Sequence, residues 1–228
     1  FIAQCRQALT QIEQAEIQLQ DTQAGLRGII RITSVGGIFG ERYVAPAIIS
    51  FMAKHPDVHI TLDFSSKHHN LIQENYDMAI RMGPLEDSSL VARQLCRYRP
   101  TLVASPCYLK RYGEPDSPEA LASHRLIAGS LNIWHFKQEK QAVEVPVHSQ
   151  LHCANGHIML AACEAGQGIA RLPSQYVDKA IAQGRLCALL KPWHQEYSPC
   201  HIVFPPGRFR SQRVKALVEA LEAHFKGV

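Results

Sequence analysis

The apolar positions change period along the chain. In residues 1 to about 24, Ile2, Cys5, Leu9, Ile12 and Leu19 recur at a/d spacing with Gln, Glu and Asp between them, which predicts one amphipathic helix. Glu16 interrupts that seam, and Gly25 and Gly28 end it. A single helix cannot bury its own stripe, so the pattern expects either a partner helix or docking on the rest of the chain. "GIIRIT" then reads as a strand and "GERYVAPAIISFMAKHP" as an amphipathic helix stopped by Pro56. In "DVHITLDF", Val58, Ile60, Leu62 and Phe64 alternate with His59, Thr61 and Asp63, the period of a strand. A short helix around "HNLIQENY" leads to "DMAIRMG", a short apolar strand carrying a charge at each end. This β-α-β-α-β order predicts a mostly parallel sheet with helices on its faces.

After "SSLVARQLCRYRP" the alternation begins again. The strand "TLVASP" is followed by a helix from Cys107 to Tyr112, a helix start at Ser117, the strand "HRLIAGS" and an aromatic hairpin in "WHFKQEKQAVEVPV". A helix from about Gly156 to Glu164, the strand "GIARLP", a helix from Ser174 to Ala182 and the strand "CHIVFPP" complete a second α/β unit. The last helix, in "RFRSQRVKALVEALEAHF", aligns Val214, Leu217, Val218, Leu221 and Phe225 on one face. The strands of the second unit are already flanked, so this helix is expected back on the first. The chain would then cross twice, with Arg97–Pro100 and Val203–Gly207 as hinge strands and the cleft between the lobes as the ligand site.

Bulk composition narrows the function classes. An apolar content of 46% excludes disorder. The net charge of +4 is scattered, its densest cluster being Arg208, Arg210, Arg213 and Lys215, too little for a committed nucleic-acid surface. Seven cysteines without a C-x-x-C pair suggest neither a disulfide framework nor a zinc knuckle and fit a reducing cytoplasm. No apolar run approaches the roughly 20 residues of a membrane span. The amino end has no signal-peptide core and no starting Met, which reads as a chain continuing upstream.

Several blocks, in order, carry a specific resemblance: "GLRGIIRIT", "FGERYVAPAIISFMAKHPDVHITLDF", "ENYDMAIRMGPLEDSSLVARQL", "LVASPCYLKRYGEP", "EAGQGIARLP" and the closing Arg-rich amphipathic helix. From about Gly25 to Phe225 the chain resembles the effector-binding domain of LysR-type transcriptional regulators, preceded by their linker helix. The resemblance implies an α/β fold of two Rossmann-like lobes with a cleft, periplasmic-binding-protein-like (type 2). The expected division is a linker and dimerisation helix over 1–24, one lobe over 25–98 plus 206–228, and a second over 99–205. It also implies a homodimer or homotetramer joined through Ile2, Leu9, Ile12 and Leu19. The further partners it implies are a small-molecule effector and promoter DNA, the latter through a winged helix-turn-helix domain ahead of residue 1. No cofactor, metal or membrane partner is expected. A transporter's solute-binding protein is the alternative, disfavoured by the free cysteines and the leading helix.

Candidate effector contacts fall at strand ends and helix starts. In "TSVGGIFGER", Ser34 and the amides of Val35, Gly36 and Gly37 are placed to meet an anion at a helix amino end, or Ser34 caps the helix and the glycines make the turn. Ser65 and Ser66 in "DFSSKHH" are open to the same two readings. Arg81 is a partner for a carboxylate ligand or for Asp77 or Glu86. The second unit offers Ser130, Asn155, which caps a helix or contacts the ligand, and Gly168, which permits a close backbone approach. Trp134 reads as hairpin packing. His148 and His152 would stand roughly 13 Å apart on a strand, too far to share a metal. The motifs of hydrolases, metalloproteases and P-loops are absent, and Cys107 near a helix start has no base beside it, so no catalysis is expected.

Overall fold

In the computed structural model, which describes residues 26–65, 70–85, 89–139, 141–193 and 197–226, strand β1 (Gly28–Ser34) opens the fold. Helix α1 (Ala45–Lys54), β2 (Val58–Phe64), β3 (Met78–Met82), β4 (Val91–Tyr98), β5 (Pro100–Ala104) and helix α2 (Pro106–Tyr112) follow. The next elements are β6 (Leu126–Ala128), β7 (Ile133–Gln138), β8 (Gln141–Pro146), β9 (Ser149–His152) and helix α3 (Gly156–Glu164). The chain ends through β10 (Ile169–Pro173), helix α4 (Ser174–Ala182), β11 (Cys187–Ala188), β12 (Ser198–Phe204) and helix α5 (Gln212–Phe225). The helix expected over residues 1–24 lies outside the described residues, with its Ile2, Leu9, Ile12 and Leu19. Among the described residues two compact units result, one holding residues 26–35, 40–96 and 200–226 and the other residues 36–39 and 97–199.

The first unit contains a sheet in the order β2-β1-β3-β12-β4. β1 runs parallel to both β2 and β3, and β12 joins β3 antiparallel. Ile30 and Ile32 of β1 point to one face, which α1 and α5 cover. The apolar stripe of α5, Val214, Leu217, Val218, Leu221 and Phe225, is wholly buried, and the helix belongs to the first unit. Just before α1, residues Gly40–Val44 widen into π turns. Pro46 then enters the helix without driving its ring into the carbonyl four residues back. The opposite face carries Leu71, Ala79 and Val203, flanked by Tyr76 and Leu90.

The second unit is built on a sheet in the order β11-β5-β10-β6-β9, with a separate hairpin of β7 and β8. Alternate residues of each strand feed two different cores. Val103, Ile127, Ala170 and Leu172 meet Met159 and Cys163 of α3 and Tyr176, Val177 and Ala180 of α4. Their neighbours Leu102, Ala104, Leu126 and Ile169 face Tyr108, Leu121 and the hairpin residues Trp134, Phe136 and Val145. In the hairpin Trp134 pairs with Val145 and Phe136 with Val143, and Trp134 is 2% exposed, so it is core rather than a stacking platform.

Two local expectations differ from the structure. The described part of "HNLIQENY" is a turn over residues 71–75, not a helix. The Asn70 side chain accepts from the Gln73 amide as a helix cap would, and the Glu74 amide reaches the Asn70 carbonyl, but Asn75 takes φ 56° and ends the segment after that one turn. The segment expected as a second hinge begins inside a strand: Val203 pairs with Ala79 in the first sheet.

Candidate functional site

Strand register places several polar side chains on one face of the first sheet. Asp63, Thr33, Ala79 and Val203 form one row across four strands, because Thr33 pairs with both Asp63 and Ala79, and Ala79 with Val203. Arg81 and His201 pair with each other and form the next row on that same face. Three atoms of this patch, Thr33 Oγ1, Arg81 Nη2 and His201 Nδ1, are buried without a hydrogen-bond partner among the described residues. Roughly 90% or more of buried polar groups in folded proteins are satisfied, so three orphans on one face make this patch the candidate site; the other two such atoms among the described residues, Gln175 Oε1 and Ser211 Oγ, lie elsewhere.

Burial is the largest cause of the shift at each of the three shifted groups of the patch, Tyr76, Arg81 and His201. Burial draws the Arg81 guanidinium down from its ordinary pKa, with Tyr76, Asp63 and Glu74 pulling the other way. One arm of Arg81 is anchored, Nη1 donating to the Ser65 carbonyl at 3.0 Å, while Nη2 is left over. Burial also lowers His201, more than its hydrogen bond to the Gly83 backbone raises it, so the imidazole is neutral at pH 7. Tyr76 donates to Asp63 Oδ2 at 3.3 Å, and burial raises its own pKa. Asp77 is engaged elsewhere: its carboxylate accepts from the Arg31 amide at 2.8 Å and pairs with Arg208 at 3.4 Å. Of the two acids expected as partners for Arg81, Glu86 lies outside the described residues and Asp77 is committed to β1.

The structure also gathers three of the sequence-chosen residues around Arg81. Ser34 ends β1 opposite Phe64 and Ile80, so Ser65 and Arg81 each follow one of its partners. The Ser65 amide donates to the Ser34 carbonyl at 2.9 Å, and the Val35 amide to the Ile80 carbonyl at 3.2 Å. The Val35 amide is therefore spent on the sheet and not offered to an anion. Ser34 is buried and its hydroxyl donates to the Val35 carbonyl at 3.1 Å, so it neither caps a helix nor leaves its proton free. Ser66 lies outside the described residues. Thr33 and His201 were not singled out from the sequence; the signal was present in the alternation of "RITS", which puts Thr33 and Arg31 on the non-apolar side of β1.

In the second unit Asn155 is the N-cap of α3, its Oδ1 accepting from the His157 and Ile158 amides at 3.0 and 3.3 Å. Gly156 and Gly37 both lie against Tyr176, whose hydroxyl accepts from the Ile38 amide at 2.8 Å. A Cβ at Gly156 would sit 2.5 Å from the Tyr176 ring, so the glycine is required by this packing. Ser130 is exposed just after β6. Gly168 is buried, and the backbone that approaches it is the chain's own, at Arg125. Replacing Asn155 by Ala should lower stability by about 1 kcal/mol through the lost cap. That is a fall of roughly 2–4 °C in Tm, read by thermal unfolding, which Asn155→Asp should largely restore.

No group of three or more His, Cys, Asp or Glu among the described residues is arranged to hold a metal ion. No helix among them is long and apolar enough to cross a membrane. Cys107 is exposed, its thiol 3.2 Å from the Ser105 hydroxyl.

Comparison with known proteins agrees with this architecture. A family model described as the LysR substrate binding domain matches residues 23–226. An uncharacterized HTH-type transcriptional regulator of Haemophilus influenzae is 32% identical over 212 residues, covering 91% of this chain and 73% of that protein. The HTH-type transcriptional regulator CrgA of Neisseria meningitidis serogroup C is 31% identical over 194 residues, covering 83% of this chain and 64% of that protein. Among solved structures, the full-length Vibrio cholerae virulence activator AphB matches with TM-score 0.75 at 26% identity, over 96% of this chain and 76% of that one. The regulatory domain of Neisseria meningitidis CrgA matches with TM-score 0.71 at 28% identity, over 88% of this chain and all of that one. The two α/β sheets correspond to the periplasmic-binding-protein-like type 2 fold of such domains. The chain belongs to the LysR family of transcriptional regulators, of which it forms the substrate-binding domain.

Proposed function

We propose that the chain is the sensory part of its regulator and that its effector is a small carboxylate held by Arg81 and Thr33, with a hydroxyl of the same ligand meeting His201, beside Ser34 and Ser65. The observation that carries this reading is the trio of partnerless buried atoms on one sheet face. A carboxylate accepts from the free arm of Arg81 and from the Thr33 hydroxyl, while the neutral His201, whose other ring nitrogen donates to the Gly83 backbone, presents Nδ1 as an acceptor for a hydroxyl of the same ligand. The remaining sequence-chosen residues, Val35, Gly36, Ser66, Ser130, Asn155 and Gly168, belong to the proposal only where a ligand reaches them.

Binding acts by population: an effector with higher affinity for one arrangement of the regulator shifts it by the difference, typically about 1–3 kcal/mol. The output passes to promoter DNA through a winged helix-turn-helix domain of the parent protein, in a homodimer or homotetramer for which residues 1–24 are the expected seam. This reading puts the regulator in the cytoplasm and gives it no catalytic role, in keeping with its HTH-type relatives. The alternative of a solute-binding protein is not favoured, since the relatives are HTH-type regulators.

A thermal-shift screen of small metabolites tests the ligand class. At about 100 times its Kd a true effector adds roughly 2.7 kcal/mol to native-state stability. The expected hits are mono- and dicarboxylates. A set of hits made up of neutral or cationic compounds would remove the carboxylate assignment.

A further inference from the structure

Outside the effector patch, the structure contains two cysteines that touch. Cys96 lies in β4, the edge strand of the first sheet, and Cys200 in β12, its neighbour. Their side chains are hydrogen-bonded to each other. Neighbouring strands run about 4.8 Å apart. Residues directly opposite each other at that spacing fall inside the roughly 4.4–6.8 Å between Cα atoms that a disulfide spans, and the side-chain hydrogen bond between the two thiols requires both on one face. The face is the one opposite the effector patch, because Cys200 precedes His201 in the strand. Exposure divides the roles: Cys96 is half-exposed, whereas Cys200 is fully buried.

We infer that Cys96 and Cys200 are a redox modification site, converted by a hydroperoxide into an intramolecular disulfide that ties β4 to β12. The Cys96 thiolate attacks the outer peroxide oxygen, and the O–O bond breaks. The leaving oxygen departs as an alcohol, or as water from hydrogen peroxide, and Cys96 becomes a sulfenic acid. The Cys200 sulfur then attacks the Cys96 sulfur, and the S–O bond breaks. Hydroxide leaves and takes up the Cys200 proton as water. Two thiols lose two electrons and two protons in all, and the peroxide accepts them. The thiol environment supports this order: the hydrogen bond from Cys200 lowers the Cys96 pKa, while that bond and burial push Cys200 up. Cys96 is the last residue of the first unit before the chain passes to the second, and Cys200 the first after it returns. The bond therefore joins the two strands through which the chain passes. The inference does not depend on the identity of the effector.

The test treats the reduced chain with a small excess of hydrogen peroxide, alkylates the remaining thiols and maps the digest by mass spectrometry. The expected product has lost two hydrogens and two alkylatable thiols, and links the tryptic peptide 94–97 to the peptide 186–208, with dithiothreitol reversing the link. The longer peptide also contains Cys187, so Cys187→Ala should keep the link and Cys200→Ala abolish it. If Cys200→Ala does not fold, Cys96→Ala serves instead: it should leave Cys200 reduced under the same treatment. Oxidation of Cys96 to sulfinic acid with Cys200 still alkylatable, a link from Cys96 to another cysteine, or oxidation of Cys200 in Cys96→Ala would each overturn the inference.

Discussion

Changing Arg81 to methionine is expected to weaken binding of the stabilising carboxylate by about tenfold to 150-fold, with little change in the stability of the free chain. The two halves of that expectation come from the same geometry. A hydrogen bond to a charged group is worth about 1.5–3 kcal/mol. Each 1.4 kcal/mol or so is a factor of ten in Kd, which sets the range for a ligand that loses the free Nη2. In the free chain, by contrast, the guanidinium is an expensive tenant. It is buried, its pKa is lowered by that burial, and one of its arms has no partner. Methionine gives up the bond to the Ser65 carbonyl and the attraction of Asp63 and Glu74, but it also removes a desolvated charge, and the two effects oppose each other. Calorimetric titration of the wild-type chain and Arg81→Met, with urea unfolding of both, separates the two effects. Arg81→Lys should fall between them, because an ammonium supplies the charge without the two-armed geometry. Equal affinity in wild type and Arg81→Met would remove Arg81 from the site, and a large loss of stability would make its role structural.

The fold was legible where burial on one or two faces imposes a period. The alternation in Val58, Ile60, Leu62 and Phe64 became β2, and the stripe of Val214 to Phe225 became α5 on the first unit. In the second unit the near-continuous apolar runs of "TLVA" and "GIARLP" reflect strands covered on both faces, as their two separate cores show. The misreading of "HNLIQENY" arose at one residue: Asn75 takes a left-handed φ that ends the segment after one turn, which an apolar count does not register. Register, in turn, decided what the site became. Arg81 was visible as a charge at a strand end, but its neighbours Thr33 and His201 come from strands far apart in sequence and meet it only once β1, β3 and β12 are aligned. Asn155 and Gly168 were visible as residue types suited to a helix start and a close approach. The structure supplies each with a partner inside the chain, the α3 amides for one and the Arg125 carbonyl for the other.

Gly168 sets the second large effect. Its φ lies outside the left-handed region, so alanine can adopt the backbone conformation and only space is at issue. That space is missing. A Cβ would stand 2.6 Å from the Arg125 carbonyl oxygen and 3.0 Å from its carbon, both backbone atoms that cannot swing aside. The same oxygen already accepts the Ile169 amide at 2.8 Å, at the point where β10 meets β6 in the middle of the second sheet. Relieving the clash means parting those strands, and Ile169 and Leu126 beside them are packed into one core while Ala170 and Ile127 enter the other. Overpacking of this kind costs about 1–3 kcal/mol or more. At roughly 2–4 °C per kcal/mol for a chain of this size, Gly168→Ala should lower Tm by about 5–10 °C. Gly129→Ala, just past the other end of β6, is the matched control: its Cβ would meet only the Met159 side chain at 3.6 Å, an ordinary contact, and Tm should hold within about 2 °C. If Gly168→Ala instead kept its Tm and lost the carboxylate response, the glycine would be making room for the ligand and not for Arg125.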